Sequence, residues 1–220
     1  MNLIEFNNIL EQGENNTIEF KRKVSTYQKI AKEIIAFANS KGGTIFFGID
    51  DDKTICGVES EKGEIELIEE TCSVYCVPQI NPEISIFDYK SKDIIVVNID
   101  QSINKPHFLF EGTTKFTKDS KVYIRVNDKS VLASKEVIQV LRNENINAKP
   151  IKISIGPNEK RLLEYFENNE RITVIEYSKL INVSKRRASR ILVNFVKLGI
   201  VRLHTLEKQD YFTLEDFANT

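Results

Sequence analysis

A chain of 220 residues has room for one large domain or two ordinary ones, and with 41% hydrophobic and 29% charged residues it is a folding chain, outside the range of disordered ones. No apolar run approaches the roughly 20 residues that cross a bilayer, and the opening MNLIEFNNILEQ lacks a basic segment and a cleavage site, so no membrane partner is expected and the chain is expected to be cytoplasmic. The net charge of −1 divides unevenly: residues 1–150 carry 19 basic and 23 acidic side chains and residues 151–220 carry 12 and 9, which directs a polyanionic partner to the C-terminal part.

In chain order, residues 3–10 read as a short helix and TIEFK (17–21) as a strand. Residues 27–40 form an amphipathic helix with Ile30, Ile34, Phe37 and Ala38 on one face. Ser25 and Gln28 stand in capping-box spacing at its start, and Gly42 takes the place of a left-handed C-cap. TIFFGI (44–49) and TICGV (54–58) flank a turn and read as a hairpin, and residues 63–77 as a helix through Ile65, Ile68, Cys72 and Tyr75. EISIFDY and DIIVVNI around KSKD make a second hairpin, KVYIRV (121–126) a further strand, and residues 135–145 a closing helix. The pattern predicts an α+β domain with a mixed, largely antiparallel sheet. The polar stretch NENINAKPIKISIGP (143–157), with two prolines and a glycine, places a boundary between a domain at 1–148 and another at 149–220.

Three cysteines without a secretion signal argue for buried thiols rather than disulfides. Cys72 and Cys76 stand one helical turn apart, but no second pair completes a zinc set, and His107 and His204 are remote in sequence.

The basic tail is read as three helices and a hairpin. NEKRLLEYFEN is the first helix; TVIEYSKLI is the second, with Thr173 and Glu176 in capping-box spacing; Ser184 caps the third, KRRASRILVNFVKL, which ends at Gly199. Ala188, Ile191, Leu192 and Phe195 recur at i, i+3, i+4 and i+7 and must pack inward, leaving Arg186, Arg190, Asn194 and Lys197 on the opposite stripe. Lys185 and Arg187 crowd the N-terminal turn, where the helix dipole disfavours cations, so their placement suits a phosphate backbone better than it suits the helix. With strands at 200–204 and 211–214 and a polar loop carrying Lys208, residues 158–214 resemble a winged helix. Ser184, Lys185, Arg186, Arg187 and Arg190 are then placed to enter a major groove. The other reading is a solvated basic face on a small module that packs against a partner protein.

AFANSKGGTIFFGIDDD (36–52) has the look of a phosphate loop, but its order is helix, glycines, strand. A Walker or Rossmann loop needs the strand first and a helix N-terminus after the glycines, so no nucleotide site is expected here. The glycine pair reads as a C-cap and a turn. DDDKTICGVESE lacks the sixth-position glycine of an EF-hand loop.

ENNTIEFK (14–21), AFANSKGG (36–43), GIDD (48–51) and GV (57–58) follow in order, with INKP (103–106) and YIR (123–125) beyond them, and in these blocks the chain resembles the Schlafen AlbA-like domain over roughly residues 8–145. The resemblance implies a nucleic-acid-binding regulatory module, which in bacterial and archaeal members is commonly joined to a C-terminal winged helix. It also implies an alternative, because the domain in animal Schlafen proteins can be a ribonuclease whose metal-binding carboxylates match Glu14, Glu19 and Asp51 here, with Asp50 as neighbour. Those acids would hold Mg²⁺ or Mn²⁺; the leading reading needs no cofactor. Lys21, Arg22, Lys23, Lys105 and Arg125 are further candidates for nucleic-acid contact. The usual YxRxGS is YIRVNDKS in this chain, which removes the Gly-Ser amides from that set. The expected whole is a homodimeric transcriptional regulator that binds duplex DNA through its winged helix.

Overall fold

The computed structural model describes residues 1–148, 154–206 and 209–215. Asn2 opens the first helix, α1 (Leu3–Gln12), by a capping box in which its side chain accepts from the Glu5 N–H and the Glu5 carboxylate accepts from the Asn2 N–H. Next come β1 (Ile18–Lys21), α2 (Tyr27–Asn39) and β2 (Gly43–Phe47), and β1 lies parallel to β2 with α2 as the crossover that parallel pairing demands. After α3 (Glu61–Glu70), which continues as a π-wound stretch over Thr71–Tyr75, the chain forms β3 (Cys76–Val77), β4 (Glu83–Asp88) and β5 (Asp93–Ile99). The main sheet runs in the order β1-β2-β5-β4, antiparallel except for the first pair.

The expected hairpin of 44–49 with 54–58 is reduced to one bridge, Ile49 to Ile55. The reason lies in TIFFGI itself, which is apolar on both faces. Ile45 and Phe47 enter the core under α2 and α3, while Phe46 enters a second core with Phe6 of α1, Phe20, Ile94 and Val96. A strand buried on both sides belongs in the middle of a sheet.

β6 (Phe108–Leu109) pairs with β3, and β7 (Tyr123–Val126) forms a hairpin with β8 (Lys129–Leu132) through a turn that holds Asn127 at φ 55°. Cys72 and Cys76 are buried thiols, and burial pushes the Cys72 thiol up to about 12. α2 starts at Thr26 without a side-chain cap, so the Ser25–Gln28 box does not form.

The glycine pair is a packed reversal. Gly42, at φ 75°, donates its N–H to Phe37 O at 3.0 Å. A Cβ on Gly43 would sit 2.4 Å from the Phe37 ring and 2.6 Å from Thr17 O. Because one of those neighbours is backbone, Gly43→Ala is expected to cost about 1–3 kcal/mol, read as a lower urea midpoint.

The contacts divide the chain into Met1–Ala133 and Ser134–Thr220. The division falls ahead of 148/149 because α4 (Lys135–Glu144) packs on a C-terminal helix; the polar stretch that follows α4 marks the end of helical periodicity, which composition shows, and not the end of contact. The second unit continues with α5 (Pro157–Phe166), α6 (Val174–Leu180), α7 (Lys185–Lys197), β9 (Val201–His204) and β10 (Tyr211–Leu214), the last two paired antiparallel. Leu162, Tyr177, Ala188, Ile191, Leu192, Phe195 and Phe212 make its core. Among the described residues no helix is long and apolar enough to cross a membrane.

Candidate nucleic-acid interface

α7 is fixed from three directions. Ser184 caps its first turn by accepting the Arg187 N–H at 3.3 Å. α6 packs on it and carries the buried Tyr177, whose hydroxyl donates to Asn158 O of α5 at 2.8 Å and is pushed well above its ordinary range by burial. On another flank lies α4, whose Glu136 Oε1 accepts the Ser189 hydroxyl at 2.7 Å. Ala188, Ile191, Leu192 and Phe195 are buried, and so is Val193.

What remains outward is one stripe. At 100° per residue, positions 186, 187, 190, 194 and 197 fall within about 100° of arc. Ser184, Lys185, Arg186, Arg187 and Arg190 are exposed, while Asn194 and Lys197 are half-buried. Among the described residues Lys185, Arg186, Arg187 and Arg190 form no ion pair, and no acidic side chain stands in the first turn. Four cations are thus held close together on a rigid helix with their donors turned to solvent. In the adjoining hairpin His204 stacks on Tyr211 at 4.7 Å between ring centroids and shares a 2.9 Å hydrogen bond with Thr213. Lys208 lies outside the described residues.

The N-terminal candidates divide differently. Lys23 is exposed, Arg22 pairs with Asp50 at 3.3 Å, and Lys21 pairs with Glu19 and stands 4.0 Å from Glu14. Lys105 and Arg125, expected as nucleic-acid contacts, are buried, with the Arg125 side chain only 1% exposed. Neither can reach a polyanion. Arg125 instead joins distant parts of the chain: its Nη1 donates to Glu19 at 2.8 Å, Glu33 at 3.2 Å and Ser130 at 3.1 Å, its Nη2 to Asn15 O at 2.8 Å, and its guanidinium lies 4.6 Å from the Phe37 ring centre. Ser130 also donates to Glu33.

The carboxylates of the alternative reading are not gathered on one point. Glu14 accepts the Phe20 N–H at 2.9 Å, Glu19 is held by Lys21 and Arg125, Asp50 by Arg22, and Asp51 is exposed. Burial pushes the Glu19 carboxyl above its ordinary range, against the lowering pull of Lys21 and Arg125. Among the described residues no group of three His, Cys, Asp or Glu side chains is placed to hold a metal ion. In this arrangement the Glu19 oxygens face two cations, Lys21 and Arg125.

A family model described as Schlafen, AlbA_2 matches residues 14–134. The chain belongs to the Schlafen AlbA_2 family. Two solved structures are similar to part of it. One is the DIP2311 protein from Corynebacterium diphtheriae, 14% identical with a TM-score of 0.45 over 61% of this chain and 25% of that one. The other is the N-terminal domain of a RecG-related protein from Nitrosomonas europaea, 20% identical with a TM-score of 0.40 over 60% and 92%. This chain therefore spans only a quarter of the Corynebacterium protein. No curated protein matches.

The motif blocks of the Schlafen AlbA_2 domain hold one another in place. Asn39 of AFAN donates to His107 O at 2.8 Å and Tyr123 O at 3.0 Å and accepts the His107 N–H at 2.8 Å; Ser40 Oγ accepts the Arg125 N–H at 2.8 Å. Glu33, Asn39 and Ser130 escape a reading of exposed charge. The signal for Glu33 is its place three residues after Ile30 and four before Phe37, on the apolar stripe of α2.

His107 supplies a pH test of this packing. Its Nδ1 meets Pro78 O at 2.7 Å, and since a carbonyl only accepts, Nδ1 carries the proton and Nε2 accepts from Ser102 Oγ at 2.7 Å. Burial lowers its pKa below the ordinary 6.5, and the nearby Lys105 ammonium lowers it further. The neutral ring therefore contributes stability that is present above about pH 6.5 and lost as pH falls through the lower folded-state value. Urea midpoints from pH 7.5 down to pH 5 are expected to fall more steeply for the native chain than for His107→Gln, the difference bounded by one proton, about 1.4 kcal/mol per pH unit.

Proposed function

We propose that this protein is a homodimeric, cytoplasmic transcriptional regulator, with α5, α6, α7 and the β9–β10 hairpin acting as a winged helix that binds duplex DNA. The supporting observation is the cationic stripe of α7, where Arg186, Arg187 and Arg190, with Lys185 beside them in the first turn, are exposed and unpaired among the described residues on a helix whose other side is locked in a core. A cation crowded at a helix N-terminus is held against the dipole, and a phosphate backbone relieves that cost while the arginine forks are free to pair with guanine edges. In this reading the Schlafen AlbA_2 domain supplies a dimer interface or a second nucleic-acid contact, with Lys23 and Arg22 the candidates that reach solvent. No cofactor is required. Metal-dependent RNA cleavage has less support, because Glu19 is committed to Arg125 and Lys21.

Fluorescence anisotropy of a labelled generic duplex with the full chain tests this. Affinity is expected to fall by orders of magnitude between about 50 and 200 mM salt, with a linear slope of log K against log salt near −0.9 for each phosphate contacted. Absence of salt-dependent binding to duplex DNA overturns the reading.

A further inference from the structure

We propose that the groove adjoining the free edge of β4 binds an extended segment of a partner protein that carries lysine or arginine at alternate positions and adds to the sheet as a fifth strand. The site is separate from the cationic stripe and independent of the DNA reading.

Four observations meet there. β4 is the last strand of the sheet order β1-β2-β5-β4. Tyr89 and Lys92 exchange both backbone hydrogen bonds at 2.9 and 3.1 Å, so by antiparallel alternation Phe87, Ser85 and Glu83 bond to β5, and Ile84, Ile86 and Asp88 turn their N–H and C=O groups outward. Among the described residues no partner meets those outward groups. At Ile84 this edge adjoins a groove of about 590 Å³ whose lining joins the apolar Cys72, Ile80 and Ile84 to the carboxylates Glu66, Glu69 and Glu70. Finally, Ile86, whose partner Ile95 belongs to the core on the groove side, is 48% exposed.

The chemistry of the occupant follows. Main-chain groups of an extended segment would meet the outward groups of β4, as in strand addition generally. Every second side chain would then face the groove. A lysine or arginine there lays its aliphatic stem on Ile84 and Ile86 and carries its charge to the carboxylates of α3, of which Glu66 and Glu69 have no ion pair among the described residues. A nucleic acid is repelled by the same carboxylates. A second copy presenting its own β4 brings no lysine or arginine, since none lies between Glu83 and Asp88, and so leaves the α3 carboxylates unanswered.

The probe is the acetylated and amidated peptide Thr-Lys-Thr-Lys-Thr-Lys-Thr, titrated into the ¹⁵N-labelled full chain, with the Lys-to-Glu peptide as control. Amide shifts are expected at Ile84, Ile86 and Asp88, with affinity that weakens as salt rises and at least tenfold weaker binding of the control. Ile86→Pro removes one outward N–H at a position that tolerates proline because it does not bond to β5, and it is expected to weaken binding at least tenfold with the rest of the spectrum retained. Glu66→Lys/Glu69→Lys should do the same. Shifts confined to other surfaces, equal binding of the control, or equal binding by Ile86→Pro overturns the proposal. So does concentration-dependent dimerisation that Ile86→Pro abolishes, which would give the edge to a second copy.

Discussion

Arg186→Ala/Arg190→Ala is expected to lower affinity for duplex DNA by about tenfold for each phosphate left without its cation at roughly 0.1 M salt, and to reduce the salt slope by about two. Where either side chain reads a base edge in a preferred site, about 1–3 kcal/mol of discrimination at that position should disappear as well. The fold should not suffer. Both residues are exposed and without ion pairs among the described residues, alanine is the better helix former, and removing cations from the N-terminal half of α7 relieves the dipole. A loss of binding with an unchanged or raised urea midpoint therefore separates recognition from unfolding. Arg161 is the internal control: it is exposed on α5 and pairs with Glu164 at 3.4 Å, so Arg161→Ala should leave the slope in place. If the double variant binds as the native chain does, α7 is not the recognition helix.

The helices were legible because each carries its own evidence in a short window. α7 shows its apolar stripe, its Ser184 cap and its terminal glycine within sixteen residues, and the Thr173–Glu176 box forms as its spacing predicts, with Glu176 accepting the Thr173 N–H at 2.8 Å. Strand partners are another matter, since pairing is decided by residues far away. Nothing local in TIEFK says that it lies parallel to β2 across α2, and the turn at Asn127 that would have revealed β8 was hidden in the departure of YIRVNDKS from the family pattern. The fate of the basic candidates followed the same division. On a helix with one apolar face the exposed charges could be placed from periodicity. In YIRV alternation puts Arg125 on the side away from Ile124 but does not say whether that side meets water, and here it meets Glu19, Glu33 and Phe37. A glutamate on the apolar stripe of α2 was the one local sign that a buried cation had to exist somewhere.

Arg125→Met should therefore be among the most destabilising changes available in the Schlafen AlbA_2 domain, costing up to about 3–5 kcal/mol, because it removes the one fully buried cation from two carboxylates and leaves them only the partly exposed Lys21 and Lys32. The arginine is buried and bonds to Glu19, Glu33, Ser130 and the Asn15 carbonyl, so truncation takes a donor from each of them, with Glu33 keeping the Ser130 hydroxyl. Two readouts distinguish this from simple loss of packing. Adding Glu19→Gln and Glu33→Gln to Arg125→Met should recover a large part of the loss, since neutral amides remove the unpaired charge. Acid should also help the single variant. Burial already raises the Glu19 carboxyl, and without Arg125 it rises further; a carboxyl raised in the folded state contributes stability below its unfolded value that is lost as pH rises, so the variant should be less impaired at pH 5 than at pH 8. A cost below about 1 kcal/mol with no recovery in acid would mean that the two glutamates regain water when the guanidinium leaves, and that the link between the ENNTIEFK and YIR blocks is packing alone.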